Sequence, residues 1–185
     1  MEIVLASASP RRQELLKLIF DEFSIAVADI EEICPEDLHP HKCPEYLAAR
    51  KALKVADNAC DSLVIGADTA VFLGNKMLGK PKDNTDAFNM LCLLSGKEHI
   101  VITGCALVYK GKSTSFSVVS KVKFFNLSED EIKSYIATGE HTDKAGAYAI
   151  QGKGSLFIEK IDGDYFNIVG LPVSELNRRI KEILK

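Results

Sequence analysis

The chain has 185 residues, 46% hydrophobic and 26% charged, with a net charge of −3. That length can bury a real core in one or at most two domains, and the charge excludes a global basic field for nucleic acid. No apolar run reaches the roughly 18 residues of a membrane span. The five cysteines form no C-x-x-C pair, and Met1-Glu2-Ile3 opens no secretory leader, so the cysteines read as reduced thiols of a cytoplasmic protein.

Glu2 to Ala6 reads as an apolar strand running into Ser7 and Ser9. Ser9-Pro10 has the chemistry of a helix start, a hydroxyl N-cap before a proline whose missing N–H costs nothing there. Arg11 and Arg12 then occupy the first turn, where a cation opposes the helix dipole by about 0.3–1 kcal/mol. An anion at that position reverses the penalty. Ser7, Ser9, Arg11 and Arg12 therefore read as a phosphate site, against the plainer alternative of two solvated arginines.

A strand is expected over Phe23 to Ala28, followed by the carboxylates of Asp29, Glu31 and Glu32. These are either an exposed acidic loop or metal- and water-handling groups that face a phosphate. Cys34, His39, His41 and Cys43 fit no common zinc spacing, and Pro40 stiffens the backbone between the histidines. Pro44 opens a helix to about Cys60. On it Lys51 shares a face with Leu47, and either snorkels along its stem or points toward an anion.

Leu63 to Ile65 reads as a buried strand, after which Asp68 interrupts an apolar context where an unpaired carboxylate is rare. Gly74-Asn75 is a hairpin signal. It places Thr69 opposite Lys80 and Asp68 opposite Pro81, so Lys80 reaches the mouth of the strand that carries Asp68. The alternative is a structural Asp68–Lys80 ion pair.

Asp83 or Thr85 caps a helix to Leu94. Strands follow over Glu98 to Tyr109 and Thr114 to Asn126, joined at Gly111. Ser128-Glu129-Asp130-Glu131 is a capping box for a helix running to Gly139. Asp143 to Gly154 is too small and glycine-rich for a helix and reads as a functional loop. It lacks the Gly-Lys-Ser/Thr of a P-loop, and the Gln151 amide offers one donor and one acceptor face to a base edge. Ser155 to Ile161 and Phe166 to Val169 are expected to pair as a hairpin, and Val173 to Leu184 as a closing amphipathic helix. The pattern is that of an α/β protein with a mixed sheet and flanking helices, bent into two lobes over a cleft within a single domain spanning 1–185.

The motifs S-A-S-P-R-R-Q-E-L-L from Ser7, G-A-D-T from Gly66, L-G-K-P from Leu78, D-K-A-G-A-Y-A-I-Q-G from Asp143 and G-L-P from Gly170 stand in one order along the chain. Together they resemble the Maf family of nucleoside triphosphate pyrophosphatases. The resemblance implies an inosine-triphosphatase-like fold with the nucleotide between the lobes, and metal-dependent hydrolysis to the monophosphate and pyrophosphate. It places the catalytic aspartate on Asp68, phosphate-binding residues on Ser7, Ser9, Arg11, Arg12, Lys51 and Lys80, and metal carboxylates on Asp68 and Glu32. The specificity positions of the dTTP/UTP subgroup fall on Arg11, Thr69 and Gln151, and all three match, with modified pyrimidine nucleotides as a related substrate class. Ala149 departs from the family's glycine. The resemblance also implies a homodimer, while the net charge and the lack of a basic stripe argue against nucleic acid as a partner and the lack of a long apolar run argues against a membrane.

The chemistry asks for cationic positioning of phosphate oxygens and an activated water. An ordinary aspartate, with a pKa of about 3.9, is too acidic to deprotonate bulk water well. A divalent cation closes that gap, and oxygen ligands favour Mg2+ or Mn2+. The rival reading is a nucleotide-binding regulator of cell division acting through a partner, for which an intact Asp68 has no purpose.

Overall fold

The computed structural model describes residues 1–185. Its strands are β1 (Ile3–Leu5), β2 (Ser24–Ile25), β3 (Leu63–Leu73), β4 (Lys76–Leu78), β5 (Glu98–Tyr109), β6 (Lys112–Phe124) and β7 (Ile158–Asp162), and its helices are α1 (Pro10–Leu16), α2 (Cys43–Ala56), α3 (Asn84–Leu94), α4 (Glu129–Ile136), α5 (Tyr165–Val169) and α6 (Val173–Ile183). The strands hydrogen-bond in the order β2-β1-β3-β5-β6-β7, with β4 on β3. The sheet is mixed: β1 is parallel to β2 and β3, whereas β4 on β3 and β7 on β6 are antiparallel. The α/β class expected from the pattern is the one observed.

The chain divides into two compact units. The first comprises residues 1–69, 103–118 and 170–185. Here β1 and β3 register with Leu5 opposite Ile65, and the Ala6 N–H extends the ladder to the Ile65 carbonyl. The core is built from small and branched residues: Val4, Ala6, Ala48, Ala52, Val55, Val64, Ala106 and Val108. Their smallness lets α2 approach the sheet closely. A Cβ on Gly66 would fall 2.2 Å from the Ala48 carbonyl oxygen, and one on Gly104 would fall 2.2 Å from the Glu45 nitrogen. These two glycines of β3 and β5 thus set how closely the Lys51-bearing helix approaches the strand that carries Asp68.

The second unit comprises residues 70–102 and 119–169. Its β3–β4 hairpin pairs Leu73 with Lys76 and Val71 with Leu78, the register that a Gly74-Asn75 tip dictates. An edge-to-face aromatic cluster of His99, Phe124, Tyr135, Tyr148 and Phe157 fills its interior. Capping follows local chemistry. The Asp83 side chain accepts from the Asp86 N–H, and Ser128 with Glu131 forms the reciprocal capping box.

Several expectations are corrected. The strand of 23–28 shrinks to β2. Phe166 to Val169 is not half of a hairpin but lies in α5. The Asp164 carboxylate accepts the Phe166 N–H at 2.8 Å, a cap that turns the chain into a helix, while β7 pairs with β6 instead. Ser9 occupies the N-cap of α1 but its hydroxyl caps nothing. The cysteines are not all reduced thiols: Cys34 and Cys43 form a disulfide across a Cα–Cα distance of 5.8 Å, which also takes both sulfurs from any zinc set. Cys60 and Cys92 are exposed, and Cys105 is buried.

Candidate active site

The first unit gathers the candidate site where β1 ends beside the middle of β3. The parallel register of these neighbours carries the chain after Leu5 and the chain after Ile65 to the same edge of the sheet. Ser7 emerges from β1, Arg11 and Arg12 open α1, and Asp68 and Thr69 continue β3. This is the carboxyl end of parallel strands, where open α/β sheets bind ligands.

Arg12 is the mechanical centre of this edge. Its Nε donates to the Gly170 carbonyl at 2.9 Å, its Nη1 to Ser7 Oγ at 3.1 Å and its Nη2 to Thr69 Oγ1 at 3.0 Å. Thr69 Oγ1 also lies 2.9 Å from Thr103 Oγ1. Three of the five guanidinium N–H groups are therefore spent on the protein, leaving two for a ligand. Burial pushes the Arg12 pKa down, and nearby Asp68, Cys105 and Glu32 oppose that shift. The residue stays charged nonetheless. Arg11 is half-buried and forms no such fork. Desolvation, then the neighbouring Arg12 charge, lowers its pKa, so an anion would relieve both.

Asp68 and Glu32 converge on one nitrogen. Lys51 Nζ lies 2.7 Å from Asp68 Oδ1 and 2.7 Å from Glu32 Oε1. Lys51 and Asp68 side chains are only 11% and 14% exposed, against 56% for Glu32. So Lys51 does not snorkel to solvent, and Asp68 takes Lys51 as its ion-pair partner. Burial raises the Asp68 pKa, with Glu32 as a smaller contributor, while Lys51 and Arg12 hold the rise in check. The net shift is upward, in the direction a base at neutral pH requires.

Ser7 is buried, and its Oγ accepts both from Arg12 and, at 3.3 Å, from the Ser9 N–H. Ser7 thus closes the turn before α1 that Ser9 was expected to cap. Two contributors escaped the reading of the residues: the Gly170 carbonyl and the Thr103 hydroxyl. The G-L-P run before α6 marked the first; nothing local marked the second.

Lys80 and Gln151 belong to the second unit. Lys80 is exposed two residues beyond β4, and Gln151 is exposed on the glycine-rich loop. That unit ties their segments together, because the Gly146 N–H donates to the Gly79 carbonyl at 3.0 Å. The same loop holds Gly146 at φ 70°, an angle suited to glycine, and Ala147 at φ 61°, where its Cβ is disfavoured.

Residues 2–183 match the family model described as Maf-like protein. The chain belongs to the Maf family. A Bacillus cereus (strain ATCC 10987 / NRS 248) protein named dTTP/UTP pyrophosphatase is 48% identical over 181 residues, covering 98% of this chain and 89% of its own length. A Geobacillus sp. (strain WCH70) protein of the same name is also 48% identical, over 98% of both chains. Among solved structures, the Staphylococcus aureus Ham1 protein superposes with a TM-score of 0.57 at 14% identity, covering 98% of this chain and 99% of that one. A HAM1 protein from Coxiella burnetii gives 0.54 at the same identity and coverage. At that identity the likeness is one of fold, and it places this Maf chain among mixed-sheet α/β proteins with flanking helices.

The donor chemistry suits a hard divalent cation. Asp68 and Glu32 present carboxylate oxygens to a single cationic point, now the Lys51 ammonium. No group of three or more His, Cys, Asp and Glu side chains gathers as an all-protein cage. Mg2+ characteristically uses one or two carboxylates and takes its other ligands from water and substrate phosphates.

Proposed function

We propose that this chain hydrolyses dTTP and UTP to the nucleoside monophosphate and pyrophosphate. The observation that carries the chemistry is the convergence of Asp68 and Glu32 on Lys51 beside the Arg12 fork. The names of the 48%-identical relatives support the choice of substrates.

Asp68 accepts a proton from the attacking water at its carboxylate, helped by the burial that raises its pKa. Arg11, the two free N–H groups of Arg12, Lys51 and Lys80 bind phosphate oxygens, where negative charge builds as pyrophosphate leaves. Asp68 and Glu32 would hold Mg2+ or Mn2+, which neutralises phosphate charge and acidifies water when bound. Gln151 contacts the base edge through its amide, and Thr69, locked by Arg12 and Thr103, stands with Arg11 as a specificity residue.

Pyrophosphate release from a panel of triphosphates, with Mg2+, Mn2+ or chelator, tests the reading. The expected result is release from dTTP and UTP that chelator stops, and its loss in a folded Asp68→Asn variant. Full activity in that variant sinks the assignment. Gln151→Ala is expected to loosen base choice more than it slows turnover.

A further inference from the structure

Tyr135 near the end of α4 and Glu140, in the turn that follows that helix, hold the loop around Gln151 from both sides. Before Gln151, the Ala149 N–H donates to Tyr135 Oη at 3.0 Å. After it, the Lys153 and Gly154 N–H groups donate to Glu140 Oε2 at 2.9 and 3.4 Å. Gln151 itself is exposed and its side chain caps nothing. The loop between the anchors is tightly closed. A Cβ on Gly154 would fall 2.2 Å from the Ala149 carbonyl oxygen, and one on Gly152, at φ 72°, would fall 2.8 Å from Glu140 Oε2.

Glu140 is itself rigidly presented. Thr138 Oγ1 donates to the Tyr135 carbonyl at 2.7 Å and accepts the Glu140 N–H at 3.2 Å, and Gly139 turns the chain at φ 77°. Burial pushes the Tyr135 phenol up to about 12, so the second anchor keeps its hydroxyl throughout the neutral range. A carboxylate accepting two backbone N–H groups is a stronger tether than a neutral acceptor. No backbone carbonyl of a neighbouring strand holds the amides of Ala149, Lys153 and Gly154, so these two side chains fix the backbone next to Gln151 alongside the burial of Tyr148 and Ile150.

We propose that Glu140, seconded by Tyr135, is a positioning residue for base selection. Touching no substrate, it fixes the backbone on which the Gln151 amide is aimed. The inference rests on the reading of Gln151 as the base-contacting residue. It adds that the energetics of selection lie partly at and just beyond the end of α4.

The test is steady-state kinetics of the full chain with Mg2+ on dTTP, UTP, dCTP and CTP, for the wild type, Glu140→Ala, Glu140→Gln, Tyr135→Phe and Gln151→Ala. Glu140→Ala is expected to raise KM for dTTP and UTP by about tenfold, the size of one lost charge-assisted hydrogen bond, with kcat little changed. The preference for dTTP over dCTP should narrow as it does in Gln151→Ala. Glu140→Gln, whose amide oxygen still accepts N–H groups, should restore most of the preference. If Glu140→Ala does not fold, Tyr135→Phe carries the test, because it removes only the hydroxyl and should narrow the same ratio. A shifted ratio in Gln151→Ala beside unchanged ratios in folded Glu140→Ala and Tyr135→Phe overturns the inference and leaves the Gln151 reading standing. Unchanged ratios in all of them, Gln151→Ala included, overturn both. A fall in kcat with the ratio intact reduces Glu140 to a structural residue and also overturns the inference.

Discussion

Lys51 Nζ stands 2.7 Å from Asp68 Oδ1, with both side chains almost wholly withdrawn from water. The same nitrogen also bonds Glu32, whose side chain is 56% exposed, so the two pairs differ in worth. Losing Lys51 leaves a buried carboxylate short of its main partner and costs about 3 kcal/mol, the low end for a broken buried pair. Losing Glu32 removes a half-exposed pair worth under about 1 kcal/mol. Urea unfolding of Lys51→Met and Glu32→Gln should show this order. Lys51→Met combined with Asp68→Asn should be far more stable than the sum of the single losses implies. Strict additivity contradicts the pairing.

The approach of α2 to β3 makes a second prediction. Gly66→Ala forces a methyl to within 2.2 Å of the Ala48 carbonyl oxygen and 2.9 Å of Ala52 Cβ. Neither neighbour is a flexible side-chain end, so the helix must move. Overpacking of this kind costs about 1–3 kcal/mol, and turnover should fall with stability because Lys51 rides on the displaced helix. Gly79→Ala, which meets nothing within 4 Å, is the stability control and should unfold near the wild-type midpoint. Unimpaired stability and turnover in Gly66→Ala contradict the account of how Lys51 is placed.

Local chemistry made the β3–β4 register legible, since a two-residue Gly74-Asn75 turn permits one pairing. The Ser128–Glu131 box was legible for the same reason: both of its partners lie within one turn. Phe166 to Val169 was not legible, because a short apolar run does not distinguish strand from helix. The local Asp164 cap starts the helix, and distant partners hold it in place: Asn167 is buried, and its Nδ2 donates to the Val101 carbonyl and to Ser120 Oγ. The site was legible in its residue types and not in its pairings. Helical period put Lys51 on the face of Leu47, but only the fit of α2 against Gly66 and Gly104 turns that face to Asp68. Similarly, a first-turn arginine announces an anion, yet Arg12 spends three N–H groups on Ser7, Thr69 and Gly170, residues far apart in sequence.

The Cys34–Cys43 bridge ties the segment just past Glu32 to the start of α2. Its sequence separation of 9 closes a short loop, for which chain entropy gives about 2.5 kcal/mol of stabilisation. A dithiol reductant should lower the unfolding free energy read from urea denaturation by that amount. Cys34→Ser should show the same loss and no further response to reductant. Thiol labelling gives a second readout: in the oxidised protein Cys60 and Cys92, both exposed, react quickly. Cys105, buried with its thiol pushed up to about 12, reacts only on unfolding. Rapid labelling of Cys34 and Cys43 without reductant contradicts the bridge.

His99 provides the pH dependence. Its ring is 2% exposed, stands edge-on to Phe124 and lies 2.8 Å from Tyr148 Oη through Nε2. Burial pushes its pKa from 6.5 down to about 4. The folded state therefore keeps the ring neutral while the unfolded chain protonates it below about pH 6.5. Between these values the unfolded state binds more protons, so stability rises with pH. The His99 contribution is fully present above the unfolded pKa and is lost as pH falls toward the folded one. Linkage puts the loss at about 2 kcal/mol between about pH 7.5 and about pH 5. His99→Gln keeps a hydrogen-bonding group near Tyr148 but cannot titrate. Unfolding free energies of the two proteins should converge as the buffer is acidified, the wild type losing stability faster. Parallel pH curves exclude His99 as the titrating group.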